Sequence, residues 1–456
     1  MRILHAIHDF LPRHLAGSEI YAFELCRAQA SRHHVTVLCA EYDPTRPHAH
    51  VTWRAYEGLP VVELVNNWVT RSFDDTYSSP VLGRQLTGIL QTVRPDVVHV
   101  HNLLNLSFEL PKAAHALGSA VAATLHDYTL VCPSGGQRIH YAEQHVCNEI
   151  DVERCARCFQ QSPFYAQMSY GSVATRVGLP RPVLQAARTV LRRFPGAAKG
   201  LARAAAWAPV TTADIERRLE AARGVFSEID LFVAPSQFLV NEYIRLGVPP
   251  EKIRCSLNGL VPLPRLARHG PAVPLRIGYV GTVVWHKGIH VLIDAVTLLP
   301  SEQYELKIFG DLAASPPYAA ELAALAAGLP IQLMGGFDRE AVADVYAQID
   351  VLVVPSIWME NSPTVIHEAY MAGVPVVGAR MGGIPELIAH GHSGLLYDAA
   401  SSSDLASALR SLIEQPERLY ELRRHLPSVK PIDDDARTWE STYADLIRRR
   451  RLEAAP

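Results

Sequence analysis

MENSPTVIHEAYMAGVPVV, residues 359–377, carries two glutamates eight positions apart, Glu360 and Glu368, with a helix start between them. The preceding run VLVVPS (351–356) is β-branched and ends in proline, the pattern of a short strand buried on both faces. A loop follows. Ser362 suits an N-cap and Pro363 the first helical position, where its fixed φ fits and its missing N–H has no partner to lose. The spacing predicts a helix from Pro363, with unpaired N–H groups and a positive dipole end facing the carboxyl edge of a parallel sheet. A phosphate is at home there. At about 1.5 Å of rise per residue the two carboxylates should lie about 10 Å apart. That is too wide for a glycosidase pair sharing one sugar, and it suits a sugar nucleotide lying across the helix start. The plainer alternative makes Glu368 a surface helix residue and Glu360 a loop charge; their surroundings decide against it.

A second turn of the same kind follows directly. PVVGA (375–379) reads as the next strand, Gly382 and Gly383 as a tight turn, and Pro385 with Glu386 as another helix start. Upstream, LRIGYVG (275–281) is a strand leading through His286, Lys287 and Gly288 to a helix whose Ile289, Leu292, Ile293 and Val296 form one apolar face. Lys287 is placed to reach a phosphate as a point charge. Before residue 265 the strand candidates RILHAI, HVTVLCA, VVHVHN, AVAATLHD and LFVAPS alternate with helical or loop segments, which predicts a parallel sheet. The proline- and glycine-containing stretch 261–274 marks the boundary between two α/β domains.

At 456 residues and 48% hydrophobic content the chain can bury two cores. A net charge of -3 gives no reason to expect nucleic acid. No run of eighteen apolar residues occurs, so a spanning helix is not expected. MRILHAIHDF lacks the sustained apolar region and cleavage site of a signal peptide, and a cytoplasmic protein is expected. A nicotinamide dehydrogenase would carry GxGxxG after its first strand, yet no two glycines in the chain are spaced two apart.

The order of these pieces resembles the family-four glycosyltransferases of the GT-B fold, retaining enzymes that use nucleotide-sugar donors. The matching text is IGYVGTVVWHKGIHVLIDAV, LKIFGD, YAQIDVLVVPS and above all ENSPTVIHEAYMAGVPVVGARMGGIPELI; HAIHDFLPRHLAGSEIYAFELCRAQASRHHVTVL, RPDVVHVHNLL, ATLHDYTLVCP and IDLFVAPSQFLVNEYIRLGVPPEKIRCSLNGL continue it at the amino end. The resemblance implies two Rossmann-like parallel-sheet domains facing a cleft. They would be an acceptor-side domain, 1–265, and a donor-binding domain, 272–430, with a final helix, 431–456, crossing back to the first. By the same resemblance Glu360 contacts the donor sugar, Glu368 the ribose and Lys287 the diphosphate, while Asn361 and Ser362 present backbone amides to the phosphates. Gly17 lies in the loop facing the cleft and His126 approaches the transferred sugar. Catalysis would then rest on Glu360 and His126 with no metal, and the donor would be a UDP- or GDP-hexose. The acceptor would be a glycan or a lipid-linked sugar. Thr282 stands where many relatives have arginine, and Gly17 is followed by Ser18 in place of a second glycine. A sugar-nucleotide epimerase on the same fold and a non-catalytic sugar-nucleotide-binding protein are the competing readings.

Two further segments fall outside that pattern. Cys132, Cys147, Cys155 and Cys158 crowd into one stretch that includes a CxxC pair. With no secretory signal, four thiolates suit a structural zinc, against free or redox-active thiols. Within an expected helical insertion at about 160–215, residues 181–203 carry Arg181, Arg188, Arg192, Arg193, Lys199 and Arg203 with no acidic side chain. Val183, Leu184, Ala187, Leu191 and Phe194 recur beside them at helical spacing. A basic amphipathic helix of this kind either lies on an anionic membrane surface, near a lipid-linked acceptor, or packs on its own domain with a solvated basic face.

Overall fold

A computed structural model describes residues 1–165, 209–264 and 273–453. The chain divides into two compact units. One comprises Met1–Pro235, Val240–Asn258 and Ile432–Pro456; the other comprises Ser236–Leu239 and Gly259–Pro431. The basic stretch 181–203 lies outside the described residues. Among the described residues no helix is long and apolar enough to cross a membrane.

The first unit is built on β1 (Arg2–Ile7), β2 (His34–Glu41), β3 (Val51–Tyr56), β4 (Leu59–Val65), β5 (Val97–Val100), β6 (Ala120–Thr124), a small hairpin of β7 (Ile139–His140) and β8 (His145–Val146), then β9 (Leu231–Ala234) and β10 (Ile253–Cys255). Eight of these strands form one sheet in the order β10-β9-β6-β5-β1-β2-β4-β3. Every pairing in it is parallel except β3 with β4, an antiparallel hairpin at the edge. The sequence reading missed that hairpin. Its turn is Glu57-Gly58 with φ of 47° and 80°, the positive pair a two-residue hairpin turn demands. The expected parallel strands β1, β2, β5, β6 and β9 all form.

The second unit carries β11 (Leu275–Val280), β12 (Tyr304–Phe309), β13 (Ile331–Gly335), β14 (Val351–Val354), β15 (Val376–Ala379) and β16 (Gly394–Tyr397) in the order β13-β12-β11-β14-β15-β16, all parallel. Strand order reverses between β11 and β14, and in the first sheet between β1 and β5. Loops leaving such a pair diverge to opposite faces and open a crevice at the carboxyl ends, where open α/β sheets take ligands. The central runs VLVV and VVGA are buried throughout, as strands covered on both faces must be. Ile289, Leu292, Ile293 and Val296 of the helix Ile289–Val296 face the same core.

The long helix Ile432–Glu453 packs on the helix Gly17–Ala30 of the first unit. Buried Ile432, Ala436, Trp439, Tyr443 and Leu446 supply its apolar face. Tyr21 donates to Asp435 (2.8 Å), Trp439 donates to Tyr21 (3.1 Å), and Arg32 pairs with Glu440 (2.6 Å).

Candidate functional site

The loops after β11 and β14 meet at the strand-order reversal of the second sheet. The β11 loop ends in a short turn, Trp285–Lys287, closed by Gly288 at φ 71°. A Cβ on Gly288 would stand 2.0 Å from the Pro355 carbonyl oxygen, so only glycine lets the two loops approach this closely. Ile357 N–H then donates to the His286 carbonyl (3.0 Å), tying the loops together. The Gly382-Gly383 turn after β15 closes from the other side. Gly383 N–H donates to the Glu360 carbonyl (2.7 Å), and a Cβ there would lie 1.9 Å from the Asn361 oxygen.

Glu360 is held in this frame from several directions. Its Oε1 accepts from Lys287 Nζ (2.6 Å), Ser356 Oγ (2.7 Å) and Trp358 Nε1 (3.0 Å). Its side chain is 7% exposed and that of Lys287 24%. Burial works to raise the Glu360 pKa, but the Lys287 ammonium and the three hydrogen bonds outweigh it, and the net value falls below the ordinary glutamate range. The group is a carboxylate at neutral pH. Lys287 Nζ also sits 5.2 Å from the centre of the Trp358 ring, a cation–π geometry. Lys287 and Glu360, expected to serve diphosphate and sugar separately, are therefore an ion pair with each other. His286 packs edge-on against Trp358, and burial, with Lys287 beside it, lowers its pKa to about 4.

The helix after this loop is Thr364–Met371, with Pro363 in the cap position and no side-chain cap. The expected N-cap role of Ser362 is thus corrected: its hydroxyl is hydrogen-bonded to His367 Nε2 (2.9 Å), whose pKa burial lowers to about 4. No side chain caps the helix, and in its first turn Ile366 N–H donates to the Pro363 carbonyl (3.0 Å). Glu368 lies inside the helix and its Oε2 accepts from Tyr346 (3.0 Å). Burial raises its pKa and outweighs the opposing effects of the Tyr346 hydrogen bond and Arg339. The two glutamates are thus pushed in opposite directions.

In the first unit the candidate residues also follow sheet ends. Gly17 opens the helix Gly17–Ala30 after β1, and His126 follows β6. The loop after β1 brings His8, Asp9 and Glu19 within 4.8 Å of one another. His126 is the outermost member of a chain of imidazoles. Its Nε2 meets His101 Nδ1 (3.2 Å), His101 Nε2 meets His5 Nδ1 (3.0 Å), and His5 Nε2 meets Gln29 Oε1 (2.9 Å). Parallel pairing of β1 and β5 places His5 directly beside His99, whose nitrogens bond Tyr443 (2.5 Å) and Thr124 (2.8 Å). Since Gln29 Oε1 only accepts, each His in the chain must donate through Nε2 and accept at Nδ1. In that tautomer the lone pair of His126 sits on Nδ1; reversing the Gln29 amide would reverse every donor. Burial lowers His5 to about 4 and, with the charge of His8 adding to it, His126 to about 3. His5, His99 and His101 lie within 4.8 Å of one another, but these hydrogen bonds engage both nitrogens of each ring and leave no lone pair for an ion.

Sequence reasoning did not find Ser356, Trp358, Tyr346, His5, His99, Gln29 or Tyr443, and it named His286 on its loop without a role. One signal was present: His99 and His101 alternate in VVHVHN, which puts two imidazoles on one face of a core strand. Cys132, Cys147, Cys155 and Cys158 are free thiols lining one cavity of the first unit. Burial, then the neighbouring thiols, push Cys155 up to about 12, and burial foremost pushes Cys158 up to about 11.

Comparison with known proteins places this arrangement. The family described as glycosyl transferases group 1 matches residues 271–427, and glycosyltransferase family 4 matches residues 15–168. The sulfoquinovosyl transferase SQD2 of Arabidopsis thaliana is 33% identical over 156 residues, 34% of this chain and 29% of that protein. The amylovoran biosynthesis glycosyltransferase AmsK of Erwinia amylovora is 30% identical over 199 residues, 41% of this chain and 48% of that protein. The chain thus spans less than half the length of these curated relatives. Among solved structures, Anabaena HepE in complex with UDP superposes with a TM-score of 0.61 at 18% identity, covering 100% of this chain and 98% of that one. Sucrose-phosphate synthase from Thermosynechococcus elongatus gives 0.63 at 16% identity, covering 99% of each chain. These likenesses are of fold.

Proposed function

The chain belongs to the family-four glycosyltransferases of the GT-B fold, and from that premise we propose that it moves a hexosyl group from a nucleoside diphosphate sugar to an acceptor hydroxyl with retention at the anomeric carbon. The observation that carries this reading is Glu360, a buried carboxylate held ionised by Lys287, Ser356 and Trp358 immediately before an uncapped helix start. The diphosphate lies against the backbone N–H groups of Asn361, Ser362 and the start of the helix Thr364–Met371, with Lys287 contributing positive charge to the leaving group. Glu368 accepts from the ribose and Glu360 from the transferred sugar. His126, in the first unit, approaches the transferred sugar as a neutral imidazole. As the bond from the anomeric carbon to the phosphate oxygen breaks, the departing oxygen takes the acceptor hydroxyl's proton on the same face, and the acceptor oxygen forms the new glycosidic bond. No step calls for a metal ion.

The UDP complex of HepE supports uridine as the base. The part of AmsK in amylovoran biosynthesis supports a role in glycan assembly; the acceptor in this reading is a glycan or lipid-linked glycan, handled by a cytoplasmic protein at the inner face of the cell membrane. The basic segment 181–203 is the candidate for contact with anionic lipid, and salt-sensitive sedimentation with anionic vesicles tests it; indifference to lipid charge removes it.

Incubation with UDP- and GDP-hexoses, with and without polyprenyl-linked or free glycan acceptors, tests the main reading. The expected product keeps the donor's anomeric configuration by proton NMR. Conversion of donor to its epimer without acceptor makes the protein an epimerase, and binding without turnover makes it a sugar-nucleotide-binding protein.

A further inference from the structure

Cys132, Cys147, Cys155 and Cys158 have no part in the transfer chemistry, yet all four line one small cavity of about 30 Å³ that is open to solvent. Three separate pieces of chain deliver them. Cys132 closes the turn after Tyr128, its N–H donating to the Tyr128 carbonyl (2.7 Å). Cys147 follows β8 directly, its N–H donating to the Arg138 carbonyl (2.8 Å). Cys155 and Cys158 are one turn apart on the helix Val152–Gln161, whose N-cap Asp151 accepts from Arg154 N–H (3.0 Å), so their side chains share a face.

The second observation is a buried arginine on the wall of the same cavity. Arg138 is 4% exposed and pairs with Glu242 through Nη1 (2.5 Å). Its Nε and Nη2 are buried without hydrogen-bond partners. The guanidinium carbon stands 5.0 Å from the centre of the Tyr128 ring, and two buried N–H donors of a charged group left without an acceptor cost about 1–3 kcal/mol or more. Ser134 lines the same cavity, its buried hydroxyl meeting no partner other than the nearby Cys158 sulfur. Neutral thiols are poor acceptors and a disulfide carries no charge. Thiolates on a metal supply the missing negative charge, with donors around the sulfurs tuning and orienting them.

We propose that Cys132, Cys147, Cys155 and Cys158 hold a structural zinc ion, with Arg138 and Ser134 donating to its sulfur ligands. Each thiol gives its proton to solvent as its sulfur bonds the metal, so binding one ion releases four protons. The site carries a net charge of about -2 on four thiolates and one Zn²⁺, which the Arg138 guanidinium offsets in part. Among the described residues no three of the sulfurs stand within 4.8 Å of one another. A tetrahedron with zinc–sulfur bonds of about 2.3 Å needs edges of about 3.8 Å, so the side chains turn about χ1 and draw in around the ion. The ion's task is mechanical. β7 and β8 are two residues each, far too short to stand alone, and the ligands tie this hairpin to the flanking loop and helix.

Metal analysis of full-length protein purified without added metal is expected to find about one zinc per chain. Ellman titration should show these four thiols shielded until a chelator is added. Cys158→Ser should lower zinc content and Tm together, whereas Cys255→Ser, at an exposed thiol, should change neither the zinc content nor the shielding of the four. Should Cys158→Ser fail to fold, metal content and thiol shielding of the unaltered chain decide the matter alone. Four freely reactive thiols, a Cys155–Cys158 disulfide by mass spectrometry, or iron in place of zinc each overturns the proposal. Because UDP affinity is not a readout here, the outcome is independent of the nucleotide-site reading.

Discussion

Glu360 and Glu368 have the same side chain and opposite electrostatic fates. Glu360 has its pKa depressed in the folded chain, so its contribution to stability is present above the ordinary value of 4.5 and is lost as pH falls through its folded value. Glu368 has its pKa raised, so the fold favours its protonated form; that stabilisation is complete below 4.5 and is lost as pH rises through the raised value. Glu368→Gln should therefore raise Tm at neutral pH in ligand-free protein, with the gain fading in acid. It should also weaken UDP binding about 10- to 100-fold, the worth of a charged hydrogen bond of about 1.5–3 kcal/mol. A pH series of melting curves beside calorimetric titration with UDP checks both halves. For Glu360 the cost is structural as well as catalytic. Removing Lys287 strands a buried carboxylate, and breaking such a pair costs about 3–5 kcal/mol, less here because Lys287 is partly exposed. Lys287→Ala should thus lower both turnover and Tm, while Glu360→Gln, which leaves no stranded anion, should lose turnover with the smaller loss of Tm. Equal melting points for the two variants would contradict the pairing.

Strands and helices bring these groups together by register. β1 and β5 run parallel with His5 opposite His99, and the helix Ile432–Glu453 closes over them by bonding Tyr443 to His99. Tyr443→Phe leaves the His99 nitrogen buried and unpaired, an expected loss of about 1–3 kcal/mol in denaturant unfolding. The imidazole chain that starts at Gln29 also makes a spectroscopic prediction. Nitrogen-15 NMR should find His126 neutral down to about pH 5, well below where an ordinary histidine titrates, with its proton on Nε2. A His126 that protonates near the ordinary 6.5 would contradict its neutral place at the end of the chain. The strand candidates that form this frame were readable from their β-branched runs, and the helix after Glu360 from Pro363 and its neighbours. The edge hairpin β3–β4 was overlooked because its signal is a local Glu-Gly turn, easily lost between two longer parallel elements.

For the protein as a whole, UDP at a hundred times its Kd should stabilise the folded chain by about 2.7 kcal/mol, readable as a rise in Tm. Tyr443→Phe, whose contacts lie in the first unit, should keep wild-type UDP affinity even as it melts earlier. Loss of UDP binding in that variant would mean the nucleotide is not held by the second unit's crevice. The amino-acid order by itself determined the two parallel-sheet units, the helix start between Glu360 and Glu368, and the family, because strand runs, breakers and helix signals act over a few residues and survive as local pattern. Tertiary structure alone decided that Lys287 is the partner of Glu360 and, with Ser356 and Trp358, keeps it ionised, that burial raises Glu368 against its Tyr346 hydrogen bond, that Ser362 turns to His367, and that three histidines and Gln29 form one hydrogen-bonded chain. Those outcomes depend on which side chains share a buried space after the sheets form, and desolvation and pairing across 73 residues of sequence, as from Lys287 to Glu360, leave no periodic trace to read.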